Sequence, residues 1–113
     1  MPHCVVEYSK ALETRVMPEA MMQSVFEGAV ASGLFTPEAI KTRAIACDYY
    51  MVGDQVADFI HVQLRILSGR TDAQKAALAK AVLDRLTELK LSHLSITAEV
   101  LDMHKESYAK VLL

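Results

Sequence analysis

The sequence predicts an α/β (α+β) two-layer sandwich, in which a four-stranded mixed sheet carries two helices on one face. Three observations predict it. Apolar Ile60, Val62, Leu64 and Ile66 alternate with Phe59, His61, Gln63 and Arg65, the period of a strand. Two longer stretches repeat apolar residues at helical spacing. The segments also run strand, helix, strand twice over, with Arg15 ahead of the first helix and Arg70 ahead of the second. Two helices on one face of such a sheet complete a two-layer packing.

Each element has its own signal. His3 to Tyr8 is short, apolar and partly β-branched, and reads as a strand. Val16 to Ser32 reads as a helix: Pro18 suits its first turn, Glu19 its positive end and Gly33 its C-terminal cap. Met21, Met22, Val25, Phe26, Ala29 and Val30 share one face, where the methionines serve as core filler. Ala39 to Tyr50 reads as a second strand, and Met51 to Ala57, with Gly53 and Asp54, as a turn. Phe59 to Leu67 is the third strand. Thr71 with Gln74 forms a capping box that opens a helix running to about Lys90, with Leu78, Val82, Leu86 and Leu89 as its apolar stripe. Leu94 to Met103 is the fourth strand. The tail from His104 to Leu113 reads either as a short helix or as a strand lying on a neighbouring subunit.

Each β-α-β unit should cross over right-handedly and supply two parallel strands. The chain therefore reads as one domain over residues 1–113, made of two pseudo-repeats at about 1–56 and 57–113. The second face of the sheet is left bare. Sister subunits covering it would account for an apolar content of 52% in 113 residues, which predicts a ring-like oligomer.

Composition narrows the function classes. A charged fraction of 23% and a net charge of −2 fit a globular domain and argue against a nucleic-acid partner. No apolar run approaches a membrane span, and no leader pattern opens the chain, so a cytoplasmic protein is expected. Cys4 and Cys47 lack a CxxC spacing and read as reduced, packed thiols. His3, His61, His93 and His104 are scattered without metal-ligand spacing, so no metal is expected. Phosphate-binding, dinucleotide-binding and nucleophile-elbow motifs are missing, and no Ser or Cys has an evident His partner.

What remains is the start of the chain. Pro2 is small enough for Met1 to be removed, which would expose a secondary amine at the head of a strand. Burial and nearby cations both disfavour a charged amine, so its pKa would fall and it could act as a general base. Met-Pro alone is a common beginning and carries little weight without context.

That context is a resemblance. Pro2-His3-Cys4-Val5-Val6-Glu7-Tyr8-Ser9 resembles the opening of the 5-carboxymethyl-2-hydroxymuconate isomerase family, in the tautomerase superfamily. The likeness continues through Ala31-Ser32-Gly33-Leu34-Phe35, Ile40-Lys41-Thr42-Arg43, Phe59-Ile60-His61-Val62 and Ser68-Gly69-Arg70. Leu67 to Lys75 is also similar to the Gly-Arg strand-to-helix passage of 4-oxalocrotonate tautomerase. It spans nearly the whole chain. Each motif is weak alone; their order and spacing are specific.

The resemblance implies the tautomerase fold, a homotrimer, no cofactor and a small-molecule polycarboxylate enol as substrate. It implies a 1,3-proton shift with Pro2 as the base and Lys41, Arg43 and Arg70 as substrate-binding cations. Lys41 departs from the family pattern, which has Arg there; Lys offers a point charge where Arg offers a fork. Lys41 and Arg43 lie on one side of their strand by the period-two rule. Arg15 and Arg65 read as solvated or salt-bridged, His61 as a solvent or interface contact, and Glu7, Asp48 and Asp58 as surface charge. Tyr49 and Tyr50 either wall a pocket or pack in the core or at an interface. Two alternatives stand beside this reading: another enol, such as phenylpyruvate or a dehalogenase-type substrate, and a trimeric binding protein without catalysis.

Overall fold

The strands are β1 (His3–Ser9), β2 (Lys41–Cys47), β3 (Asp58–Leu67) and β4 (Leu94–Met103), and the helices are α1 (Pro18–Ala31) and α2 (Asp72–Thr87). The computed structural model describes residues 1–113. The sheet order is β2-β1-β3-β4. β1 runs parallel to β2 and β3 runs parallel to β4, while β1 and β3 meet antiparallel in the centre. The two β-α-β units thus join edge to edge, as the fold class required.

Alternation decides which side of the sheet the helices cover. Cys4, Val6 and Tyr8 of β1 and Ile60, Val62, Leu64 and Ile66 of β3 point to one side and are buried. There they meet Met21, Val25 and Ala29 of α1 and Leu78, Val82 and Leu86 of α2 in one core. At about 25 cal/mol per Å² of apolar surface, this layer is the main source of stability. The two helices are in close contact at Gly28. A Cβ there would come within 2.7 Å of Val82 Cα and 2.9 Å of Ala81 O, so only glycine lets the backbones approach this far.

The helix ends follow the expected chemistry. Thr71 and Gln74 make the reciprocal capping box, and Gly33 takes the left-handed conformation after α1. Several boundaries move. α1 begins at Pro18 rather than Val16, with Met17 extended as its N-cap. β2 is shorter than Ala39 to Tyr50, because Pro37–Ala39 closes into a 3-10 turn and pairing ends at Cys47. α2 ends at Thr87, and Lys90 has already turned to positive φ.

Two features remain open in the sequence, the bare sheet face and the tail. The face away from the helices is mixed in character. Register brings Lys41, His3, Arg65 and Leu101 into one row across it, and Arg43, Val5, Gln63 and Glu99 into the next. His61, in the row after that, bonds Thr97 Oγ1 through Nδ1 and Glu99 through Nε2, both at 2.6 Å. Polar side chains, some hydrogen-bonded to one another, thus share this face with Val5, Ile45 and Leu101. The tail takes the short-helix alternative. It forms a single 3-10 turn, Lys105–Ser107, and then folds against its own β1, where Tyr108 meets His3.

Candidate active site

The chain's start sits at the N-terminal ends of two parallel strands. Pro2 is fully buried, and its carbonyl accepts a hydrogen bond from the Lys41 backbone N–H at 3.1 Å. This bond precedes the first register pair, His3 with Lys41. Parallel pairing therefore delivers Lys41 beside Pro2, and the strand period exposes Lys41 and Arg43 together on the face away from the helices.

Met1 precedes Pro2 and is half-buried. The chain's amine is held below its ordinary 8.0, first by burial and then by the positive charges of Lys41, Lys110 and Arg70, with Cys4 acting weakly the other way. Two of the cations singled out in the sequence thus surround the amine. The third, Arg43, lies one step along the sheet, where its guanidinium donates to His3 Nδ1 at 3.3 Å.

Arg70 reaches this place through a turn that glycine allows. Gly69 adopts φ 122, a conformation that side-chain-bearing residues avoid, and turns the chain between β3 and α2. Arg70 then donates to Leu34 O at 2.8 Å and lies 5.7 Å from the centre of the Phe35 ring. The Ser-Gly-Arg and Gly-Leu-Phe motifs, far apart in sequence, are two sides of one contact. Lys41 Nζ bonds only Ala39 O at 3.4 Å and Met1 Sδ at 3.5 Å. None of Lys41, Arg43, Arg70 or Lys110 has a carboxylate partner among the salt bridges of the chain. Such a cluster of unneutralised cations creates a positive local field that favours an anion.

His3 is pushed below the usual histidine value by burial and then by Arg43, Lys41 and Arg65. Arg65 therefore belongs to this positive field and is not a detached surface charge. The period-two pattern that groups it with His61 and Gln63 was the available signal. Lys110 had none, because only the fold of the tail brings it here. Cys4, beneath the site on the core side, is pushed up to about 11 by burial; it is an inert packed thiol.

The other singled-out residues lie elsewhere. Arg15 bonds Asp58 Oδ2 at 2.8 Å and Ser92 O at 2.6 Å, and Asp58 also accepts from Ser9 Oγ at 2.8 Å. Asp58 is thus an ion-pair partner. Asp48, Tyr49 and Tyr50 line an open cavity of about 570 Å³ with Met51 and Val56. It opens past the C-terminal end of β2, about 20 Å from Lys41 at strand rise, and so is separate from the amine.

A two-layer fold with two β-α-β units joined edge to edge is the fold of the tautomerase-superfamily isomerases. The match to the family model of 5-carboxymethyl-2-hydroxymuconate isomerase covers residues 2–110, and the chain belongs to that family. Among solved structures, a 5-carboxymethyl-2-hydroxymuconate isomerase from Deinococcus radiodurans R1 superposes with a TM-score of 0.80 at 26% identity, over 97% of this chain and 88% of that one. A 5-carboxymethyl-2-hydroxymuconate delta-isomerase gives 0.83 at 16% identity, over 98% and 88%. A fused 4-OT solved as a symmetric trimer gives 0.74 at 20% identity, over 92% and 88%, a likeness of fold. No curated protein matches the chain. Membership of an isomerase family sets aside the non-catalytic binding alternative.

Proposed function

We propose that the chain, freed of Met1, isomerises 5-carboxymethyl-2-hydroxymuconate with the Pro2 nitrogen as general base. The observation that carries this reading is the amine of Met1, lowered by burial and by the charges of Lys41, Lys110 and Arg70, none of them paired, at the place where the Pro2 nitrogen heads the chain once Met1 is gone. A base needs to be neutral at working pH, and cations that depress the amine also attract a polycarboxylate. The neutral nitrogen accepts the enol O–H proton, the oxygen becomes a carbonyl as the double bond shifts, and the prolinium returns a proton to carbon. Charge on the enolate passes through the field of Arg70 and Lys41, which stabilises it. Arg43 holds a further carboxylate.

The reading carries a homotrimer with it. Tautomerase-fold relatives include 4-OT trimers. Tyr49 is 97% exposed, Met51 66% and Val56 78%, an uncovered apolar lip that a sister subunit would cover. The same reading places the chain in aromatic-compound breakdown in the cytoplasm. No helix is long and apolar enough to cross a membrane.

The test is untagged protein, its loss of Met1 confirmed by mass, with dienol consumption followed by ultraviolet absorbance. Rapid ketonisation is expected, falling about 100-fold or more in Pro2→Ala and in protein with Met1 retained, the range typical of a lost general base. Full activity with Met1 in place would remove Pro2 from the mechanism. Lys41 in place of the family's Arg favours one variant reading, an enol with fewer carboxylates. Preference for phenylpyruvate over the tricarboxylate in a substrate panel would establish it.

A further inference from the structure

Arg43, His3 and Tyr108 form a chain of hydrogen bonds whose direction is fixed by their chemistry. A guanidinium has only donors, so His3 Nδ1, 3.3 Å from Arg43 Nη1, has to be the acceptor. A neutral imidazole that accepts at Nδ1 carries its proton on Nε2. That nitrogen lies 2.8 Å from Tyr108 Oη, which therefore accepts. The Tyr108 ring also meets the imidazole edge-on, at 6.0 Å between centres and 61° between planes. These contacts join residues 3, 43 and 108, from the first strand, the second and the tail.

We propose that Tyr108 is a positioning residue for the substrate-binding cation Arg43, acting through the Nε2–H tautomer of His3, so that the 104–110 tail belongs to the site. The proposal rests on the reading of Arg43 as a carboxylate ligand. The tail also brings Lys110 towards the chain's amine. Every charged group that faces His3 is a cation: Arg43 and Lys41 from β2, Arg65 from β3, and the amine itself. Such surroundings keep the ring neutral, and only a neutral ring can accept from Arg43. Without the Tyr108 oxygen, His3 gains the freedom to move its proton to Nδ1, which would set a donor against a donor and release Arg43.

Two measurements test this together. The first reads the ring itself, by nitrogen-15 NMR of labelled protein without substrate. The Nε2–H tautomer is expected in the wild type, with an increased share of Nδ1–H in Tyr108→Phe. The second is kinetic, on the tricarboxylate dienol. Tyr108→Phe should raise KM about five-fold, the worth of one ordinary hydrogen bond, and change kcat much less. His3→Ala should raise KM at least as much. His3→Asn should recover most of that loss, because its Oδ1 takes the place of Nδ1, and adding Tyr108→Phe to it should cost nothing more. A wild-type Nδ1–H ring would overturn the proposal, as would fully additive effects of Tyr108→Phe and His3→Asn. No turnover together with an Nε2–H ring that responds to Tyr108→Phe would overturn the assignment of Arg43 to a substrate and leave the hydrogen-bond chain standing.

Discussion

The two β-α-β units place an arginine in the same structural position and use it differently. Arg15, ahead of α1, donates to Ser92 O in the loop after α2. Arg70, ahead of α2, donates to Leu34 O in the loop after α1. Each ties its own unit to the far end of the other. The difference lies in what stands at the head of the neighbouring strand. Asp58 opens β3 and neutralises Arg15 at 2.8 Å. Pro2 precedes β1, brings no carboxylate, and leaves Arg70 facing the chain's amine. One backbone plan thus gives a structural ion pair at one end and a candidate catalytic centre at the other. A cation becomes available to a substrate when the fold withholds its counter-ion.

The comparison breaks most sharply under alanine. Arg70→Ala should lower kcat/KM by about 100-fold or more while the melting temperature moves little, since a cation aimed at developing charge is worth several kcal/mol in the transition state. Arg15→Ala should do the opposite. It strips a partly buried carboxylate of its partner, which costs about 1–3 kcal/mol of stability, and it leaves turnover near wild type. Parallel kinetics and thermal melts of the two variants decide the matter. Equal losses of activity would mean that Arg70 is no more than a second Arg15.

Next in size is the seam that holds the units in register. Gly28→Ala should destabilise the fold by about 2 kcal/mol in denaturant titration. The gain in helix propensity is about 1 kcal/mol, and the added methyl would press on the Val82 backbone at 2.7 Å, a contact that no rotamer change can relieve. An unchanged midpoint would show that α1 and α2 can part without cost, and that the two ends are less rigidly coupled than Arg15 and Arg70 suggest.

Much of this architecture was legible in the residues, for definite reasons. β3 and α2 have clean periods, and Thr71 with Gln74 marks a helix start by a local bond that the fold keeps. Pro2, Lys41 and Arg70 were legible because motif and family likeness pointed to them together. The boundaries of β2 were not, since Ile40 and Tyr50 suit a strand while pairing with β1 stops at Cys47. The mixed character of the second sheet face follows from combining four strands, each ambiguous alone. Arg65, Tyr108 and Lys110 join the site only through the antiparallel β1–β3 pairing and the fold-back of the tail, contacts that span more than 60 and 100 residues. Spacing rules carry no information at such range.

The smallest expected effect concerns the charge that the tail supplies. A general base acts in its neutral form, so kcat/KM should fall on the acid side as the Pro2 amine gains a proton. On the Met1 amine, burial is the first cause of the depressed pKa, and Lys41, Lys110 and Arg70 follow. The Pro2 nitrogen, one residue further in and fully buried, should feel the same influences, so the acid limb should lie below the range of a free prolyl amine. Lys110→Gln removes one of the three cations, which favours the protonated amine and moves the limb to higher pH. Lys110 is exposed and screened by solvent, so the displacement should be only a few tenths of a pH unit. Arg15→Ala removes the same charge from the Asp58 end and should leave the limb where it is. A limb that moves in neither variant would show that the tail's lysine does not act on the amine, and would assign the depression to burial, Lys41 and Arg70.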